Sequence, residues 1–531
     1  MTFARVTAAL LLTIVGFVGC SGGTTSTSGS TSGATLVVAR VKDAVTLDPA
    51  VATDGLSLNL TQEVLKGLVQ FKPGSFDVEP AIASRWTMSP DGKTWTFTLK
   101  PGLRFSDGTP VNAESVKFNF DRWRLVSNPY HGNFVYGYYA DMFGGFPGLV
   151  SNVKTHGANT VVLQLARAFG PFLRDLAMPS FAIGSPDALR KDEQGFAQRP
   201  VGYGPYTFTE WVKDDHITLQ ANPTWQGTKP TYQTVIIRDL ADPSTAVLSL
   251  QKGDIDILTD PGRDDAKRLA AQSGITVYQQ PSNNLMYMAM NIEKSPFEKL
   301  AVRQAIAYAV NLPAIVKAFY DGGGMVANNW TPPSILGENS AVKAYPYDPA
   351  KAKQLLAKAG LPNGFSSQLF YTTAPRPYMP EPQRTAEAIQ ADLKKVGINL
   401  TLEPFEWGVF LDKIRNGEHP MCLIGWSGDN GDPDDFMYPL LDRDSAHKPT
   451  AQNYSFWRDP NFHNLMLAGQ ATINDAQRAS IYRQANALIH AQVPALAMVH
   501  TTVPIAMKSS ITGFDPNPDT HISFELLKPK S

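Results

Sequence analysis

Apolar positions along this chain follow three rhythms, and each predicts a different kind of element. Val6 to Val18 form one largely apolar run close to the N-terminus. In "TWTFTL", Trp95, Phe97 and Leu99 alternate with Thr94, Thr96 and Thr98, the two-residue period of a half-buried strand. In "EPQRTAEAIQADLKKVG", Ile389, Leu393 and Val396 recur on one helical face and the pattern stops at Gly397, as an amphipathic helix with a glycine C-cap would. The same rhythms extend along the chain. "RWTMSPDGKTWTFTLKPGLRF" reads as a hairpin turned at Pro90-Asp91-Gly92. "NAESVKFNFDRW" reads as a helix capped by Asn112, with Glu114 and Ser115 in its first turn. "KLAVRQAIAYAVNLPAIVKAFY" and "DPAKAKQLLAKAG" carry helical spacing, the second closing at Gly360. "ATLVVARV", "FSSQLFYTT" and "INLTLEPF" are strand-like, and the last two each follow a helix. This alternation predicts an α/β layer arrangement, and no short-period repeat interrupts it.

Composition narrows the class. A chain of 531 residues with 43% hydrophobic and 18% charged residues is expected to be globular, with two or three domains. Lysine plus arginine (47) nearly equals aspartate plus glutamate (48) and no basic stripe stands out, so nucleic acid is not expected as a partner. No apolar run after residue 20 approaches 18 residues, so no membrane span is expected there. The early run is also too short for a span. With Arg5 before it and Gly19-Cys20 after it, it reads as a secretory signal peptide over residues 1–20. "FVGC" is similar to a bacterial lipobox, which makes Cys20 the candidate lipidation site, although Phe17 stands where leucine is usual. Residues 21–35, "SGGTTSTSGSTSGAT", lack core-forming side chains and as a tether would span roughly 20 Å. Only Cys422 then remains, inside "MCLIGW", where a buried small hydrophobe is the ordinary reading.

Candidate chemistry centres on "IGWSGDNGDPDDFMYPLL" (424–441), an apolar segment that breaks into Asp429, Asp432, Asp434 and Asp435. The nine histidines show no metal-ligand spacing, and "DNGDPDD" lacks the order of a calcium loop, so neither a metal nor a cofactor is expected. "GCSGG" (19–23) matches a nucleophile motif only across the signal cleavage point, and "DGGGM" (321–325) lacks a phosphate-loop lysine. A carboxylate pair could serve glycoside hydrolysis. Binding without turnover suits the residues as well. Asp429 beside Trp426 could receive an ammonium group, and Asp432-Pro433 would shape the turn, with Asp434 capping the next segment. A carboxylate needs an arginine fork, and "TTAPRPYMPEP" (372–382) offers Arg376 near Tyr378. An arginine in a proline-rich loop is more often a surface charge, and the residues alone leave this open.

A longer ordered series of motifs adds to this. "IASRWTMSPDGKTWTFTLKPGLRFSDGTPVNAESVKFNFDR", "PVGYGPYTFTEW", "SPFEKLAVRQAIAYAVN", "YDPAKAKQLLAKAG" and "GWSGDNGDPDDF" together resemble the blocks of the bacterial family 5 solute-binding proteins of ABC transporters, over essentially all of residues 36–531. The resemblance implies an α/β, two-lobed periplasmic-binding-protein clamp of the large peptide-binding class. Lobe I would cover residues 36–284 with an extra subdomain at about 75–200, lobe II residues 285–500, and residues 501–531 would return to lobe I. It implies no enzymatic activity. It implies instead an extracytoplasmic monomer that passes dipeptides to permease subunits, and the lipobox similarity adds a lipid anchor at Cys20. Other cargo in the same role would be oligopeptide, haem, glutathione, nickel or an opine, and an extracytoplasmic hydrolase using the aspartate cluster is the reading from another class. By motif match, Arg376 takes the ligand carboxylate and Asp429 its amine. Tyr378, Trp426 and Gly425 line the same wall, and Thr53, Asp54 and Gly55 in "VATDG" face the peptide from lobe I. A dipeptide-binding member has a cysteine pair after the aspartate block, and "PLLDRDSAHKPTAQNYSFW" has none.

Overall fold

The computed structural model of the protein describes residues 34–530. The expected signal peptide, Cys20 and nearly all of the expected 21–35 tether lie outside them; Thr35, the last residue of that tether, already opens a strand. The α/β expectation holds. One continuous set of paired strands runs in the order Ile398–Phe405, Phe365–Thr372, Met421–Ser427, Asn284–Met290, Ala495–Lys508, Ile257–Thr259, Thr35–Arg40, Thr234–Asp239, His216–Ala221, Tyr206–Val212. Parallel pairs occur in both halves of this order, where Thr35–Arg40 lies against Thr234–Asp239 and Phe365–Thr372 against Ile398–Phe405. The 14-residue strand Ala495–Lys508 joins the two halves. Its first residues pair with Asn284–Met290, and Thr502–Lys508 pair with Ile275–Pro281. All seven residues of Asn284–Met290 are buried, as expected of a strand covered on both faces.

The alternation in "TWTFTL" forms the second strand of a separate four-stranded antiparallel sheet, ordered Ala83–Met88, Thr94–Leu99, Thr160–Leu165, Val150–His156. The Gly92 N–H donates to Ser89 O at 2.9 Å and closes the first hairpin. Asn112 caps the helix Ala113–Arg124 through a reciprocal box with Ser115. Gly360 and Gly397 follow their helices at φ 81° and 89°, a region costly for residues with a Cβ. Trp95, Phe97 and Trp123 of this region share one apolar core with Trp330, Phe436 and Tyr482. No helix among the described residues is long and apolar enough to cross a membrane. Cys422 is buried and burial pushes its thiol up, so it acts as a core hydrophobe.

One local expectation is refined and another fails. "KLAVRQAIAYAVNLPAIVKAFY" is two helices, Leu300–Ala309 and Leu312–Phe319, because Asn311 caps a new start with Pro313 in its first turn. And Asp432, not Asp434, caps the helix Pro433–Leu441, accepting the Asp434 N–H at 3.0 Å.

Candidate functional site

The four aspartates of the 424–441 segment have four different fates, set by what each carboxyl meets where the strand Met421–Ser427 turns into the helix Pro433–Leu441. Asp432 accepts two 2.7 Å hydrogen bonds from Arg478, and both side chains are 0% exposed. Burial opposes its ionisation, but the Arg478 guanidinium prevails and holds it below the usual carboxylate range. Asp434 accepts from Gln470 at 3.0 Å and Tyr482 at 3.3 Å, and burial pushes it up to about 7. Asp435 accepts the Asp429 N–H at 2.8 Å and the Trp426 indole N–H at 3.3 Å, and burial raises it well above the ordinary range. Asp429 is left over. Its backbone is pinned by Asp435, while its carboxyl receives only the Tyr138 hydroxyl, at 2.8 Å. Burial pushes it up to about 6; the Tyr138 bond opposes that and Asp141 adds to it.

Asp429 stands on the wall of a cavity of about 500 Å3, together with Thr53, Gly55, Tyr138, Asn283 and Pro377. The rest of the wall is largely apolar, with Phe71, Met178, Ile237, Ile505 and Phe524, so a charge there is little screened by water. Asp54 is occupied elsewhere: it caps the helix Gly55–Val64, accepting the Ser57 N–H at 2.9 Å.

Arg376 lies one residue from that wall. Its backbone N–H and C=O exchange hydrogen bonds with Met379 at 3.0 and 2.8 Å, which makes a tight turn. Its guanidinium carbon sits 3.5 Å from the Trp407 ring centre and its Nε is buried without a partner. Tyr378 is buried and its carbonyl accepts from the Tyr320 hydroxyl at 3.0 Å. Its ring lies directly on Gly425, where a Cβ would come within 2.4 Å. Trp426 is half-buried beside the core. The structure thus puts Asp429, Thr53 and Gly55 on one wall, Pro377 on it beside Arg376, and Tyr378 packed on Gly425. Sequence reasoning missed Tyr138, Asn283 and Gln280. The one available signal was "SNN" ahead of a wholly apolar strand, polar residues where burial was already evident.

Among the described residues, one group has His and carboxylate atoms close enough for a metal: Asp442, Asp444 and His463. Asp442 already accepts from His463 Nδ1 at 3.0 Å and from the Asp444 N–H at 2.9 Å, so its donors serve one another.

An α/β frame around a cavity on whose wall the Asp429 carboxyl lacks a cationic partner suits a solute receptor, and similarity to known proteins gives its family. Residues 77–448 match the bacterial extracellular solute-binding proteins, family 5 (middle), and this chain belongs to that family. It is 37% identical to the dipeptide-binding protein of Escherichia coli over 485 residues, 89% of this chain and 90% of that one. It is 34% identical to heme-binding protein A of Haemophilus influenzae over 510 residues, 93% and 92% of the two chains. Among solved structures, HbpA2 of Haemophilus parasuis superposes with a TM-score of 0.88 at 32% identity, covering 94% of this chain and 100% of that one. The dipeptide-binding protein of Pseudoalteromonas in complex with Met-Leu superposes at 0.75 and 28%, covering 93% and 100%. The fold is the two-lobed periplasmic-binding-protein clamp.

Proposed function

We propose that this protein captures dipeptides and other short peptides between its lobes and delivers them to an ABC permease. The observation that carries this reading is the isolation of Asp429: of four clustered aspartates, it alone turns its carboxyl to the cavity without a cationic partner. It would receive the ligand's ammonium group, and Arg376, stacked on Trp407, its carboxylate. Two extended residues span about 7 Å, so a fixed separation of the two charges selects zwitterions of that length. Thr53 and Gly55 would contact the peptide from the other lobe, with Tyr378, Gly425 and Trp426 behind it. The relatives that bind dipeptides, in name or in complex, support this cargo. The lobes would divide as 36–284 and 285–500, with the tail after 501 returning to the first. The two chain crossings, at 282–283 and within Ala495–Lys508, support that division. Lipid at Cys20 would hold the receptor at the outer face of the membrane. Closure gains free energy only if the peptide binds the closed clamp better than the open one.

Titration calorimetry tests the reading. Arg376→Ala is expected to weaken dipeptide affinity by at least ~2 kcal/mol, the scale of stranding a buried charge. An unchanged affinity removes Arg376 from the site, and equal affinity for a pentapeptide argues for an oligopeptide receptor.

A further inference from the structure

The cavity wall holds a second polar feature that no charged anchor explains. Asn283 lies where the chain passes from the strand Ile275–Pro281 to the strand Asn284–Met290. Its backbone is fixed on both sides: the N–H donates to Pro518 O at 3.2 Å, and the carbonyl accepts the Gly428 N–H at 2.7 Å, one residue before Asp429. Asn283 is 3% exposed, yet neither Nδ2 nor Oδ1 has a hydrogen-bond partner. Gln280, on the same wall and 0% exposed, donates from Nε2 to His521 O at 3.4 Å and leaves Oε1 unpaired. Glycine at 428 makes room for the carboxamide, since a Cβ there would lie 2.6 Å from Asn283 Nδ2.

Buried amides without partners are rare and costly, and here the anchored backbone prevents the side chain from withdrawing. We infer that Asn283, supported by Gln280, recognises the uncharged peptide link of the ligand and so sets the receptor's preference for peptides over other zwitterions of equal length. This rests on the dipeptide reading above. Once the ammonium and carboxylate are taken by Asp429 and Arg376, a dipeptide backbone has one carbonyl and one N–H left. The trans link points these two groups in opposite directions, so one carboxamide cannot serve both. Asn283 Nδ2 donates to the carbonyl, and Gln280 Oε1 accepts the N–H.

The test compares alanyl-alanine with its trans-alkene isostere, which keeps length, shape and both charges but lacks the carbonyl and the N–H. Calorimetry on the wild-type chain is expected to favour the peptide about a hundredfold, roughly tenfold for each hydrogen bond. Asn283→Leu is expected to reduce that to about tenfold, weakening the peptide and leaving the isostere unchanged. The unliganded variant should melt at or above the wild type, because the amide it loses bonds to nothing in the protein. An unchanged ratio overturns the role of Asn283 while the dipeptide reading stands. A lower melting point for the unliganded variant also overturns it, since the amide would then be satisfied within the protein, by ordered water for instance. If the wild-type chain binds no dipeptide at all, the reading and the inference fall together.

Discussion

Burial pushes Asp429 up from the ordinary aspartate value of 3.8 to about 6. An ammonium group is attracted by the ionised form only, so ligand affinity should follow its titration. Below pH 6 each further unit leaves about tenfold less carboxylate. Dipeptide affinity measured by calorimetry is therefore expected to fall about tenfold between pH 7 and pH 5, and to become nearly flat in Asp429→Asn. The Tyr138 hydroxyl, 2.8 Å away, favours the ionised form, so Tyr138→Phe should move the midpoint above 6; a midpoint near 4 in the wild type would contradict this electrostatic account. The neighbouring wall is a matter of sterics. At Gly425 a Cβ would lie 2.4 Å from the Tyr378 ring and 2.5 Å from Leu285 O. Gly425→Ala should therefore displace the Arg376–Tyr378 turn at a cost of about 1–3 kcal/mol in stability, read from urea denaturation, with a parallel loss of affinity.

At the scale of elements, the loop that presents Asp429 is braced by the pair it leaves behind. Asp432 both starts the Pro433–Leu441 helix and locks it to Arg478 on the helix Asp475–Gln492. Asp432→Asn keeps a cap acceptor but strands a buried guanidinium, for which a loss of about 3–5 kcal/mol is expected. A urea midpoint near the wild-type value would show that Asp475, 3.8 Å from Arg478, neutralises the guanidinium on its own and makes the pair redundant. Local signals in the sequence foretold much of the architecture. The Asn112 box, the Pro90-Asp91-Gly92 turn and the helix ends at Gly360 and Gly397 all act over fewer than five residues, and they were legible. The break at Asn311-Leu312-Pro313 obeyed an equally local rule but was masked by continuous apolar spacing on either side. The division of labour among the four aspartates was not legible, because it depends on Arg478, Gln470, Tyr482 and Tyr138, all distant in sequence. Asp429 and Arg376 were placed by resemblance to a family, and Asn283, which has no motif, was reachable only from three dimensions.

At the scale of the whole molecule, buried aspartates and glutamates outnumber buried lysines and arginines among the described residues, and this sets the direction in which pH acts on the empty receptor. Glu63, wholly buried and 2.7 Å from His521 Nε2, is raised by burial from 4.5 to about 8. Asp434 is raised from 3.8 to about 7. An acid whose folded pKa is raised holds a proton that the unfolded chain gives up, so its contribution is complete below the unfolded value and is lost as pH rises through the folded one. His419 and His500 act oppositely, because burial lowers both from 6.5 to about 4; their effect is confined to that interval and is spent above pH 6.5. Asp432 and Asp43, both lowered below 3.8, change nothing near neutrality. Between pH 6.5 and 8.5 the raised acids act unopposed by these groups. The melting temperature of the unliganded protein is expected to fall across that window by about 1–3 °C. Glu63→Gln, which stays neutral in the same volume, should flatten the decline above pH 7 and leave the Asp429-dependent loss of affinity below pH 6 intact. A melting temperature that rises from pH 6.5 to 8.5 would mean that Glu63 and Asp434 are ionised in the folded state, each compensated by a cation.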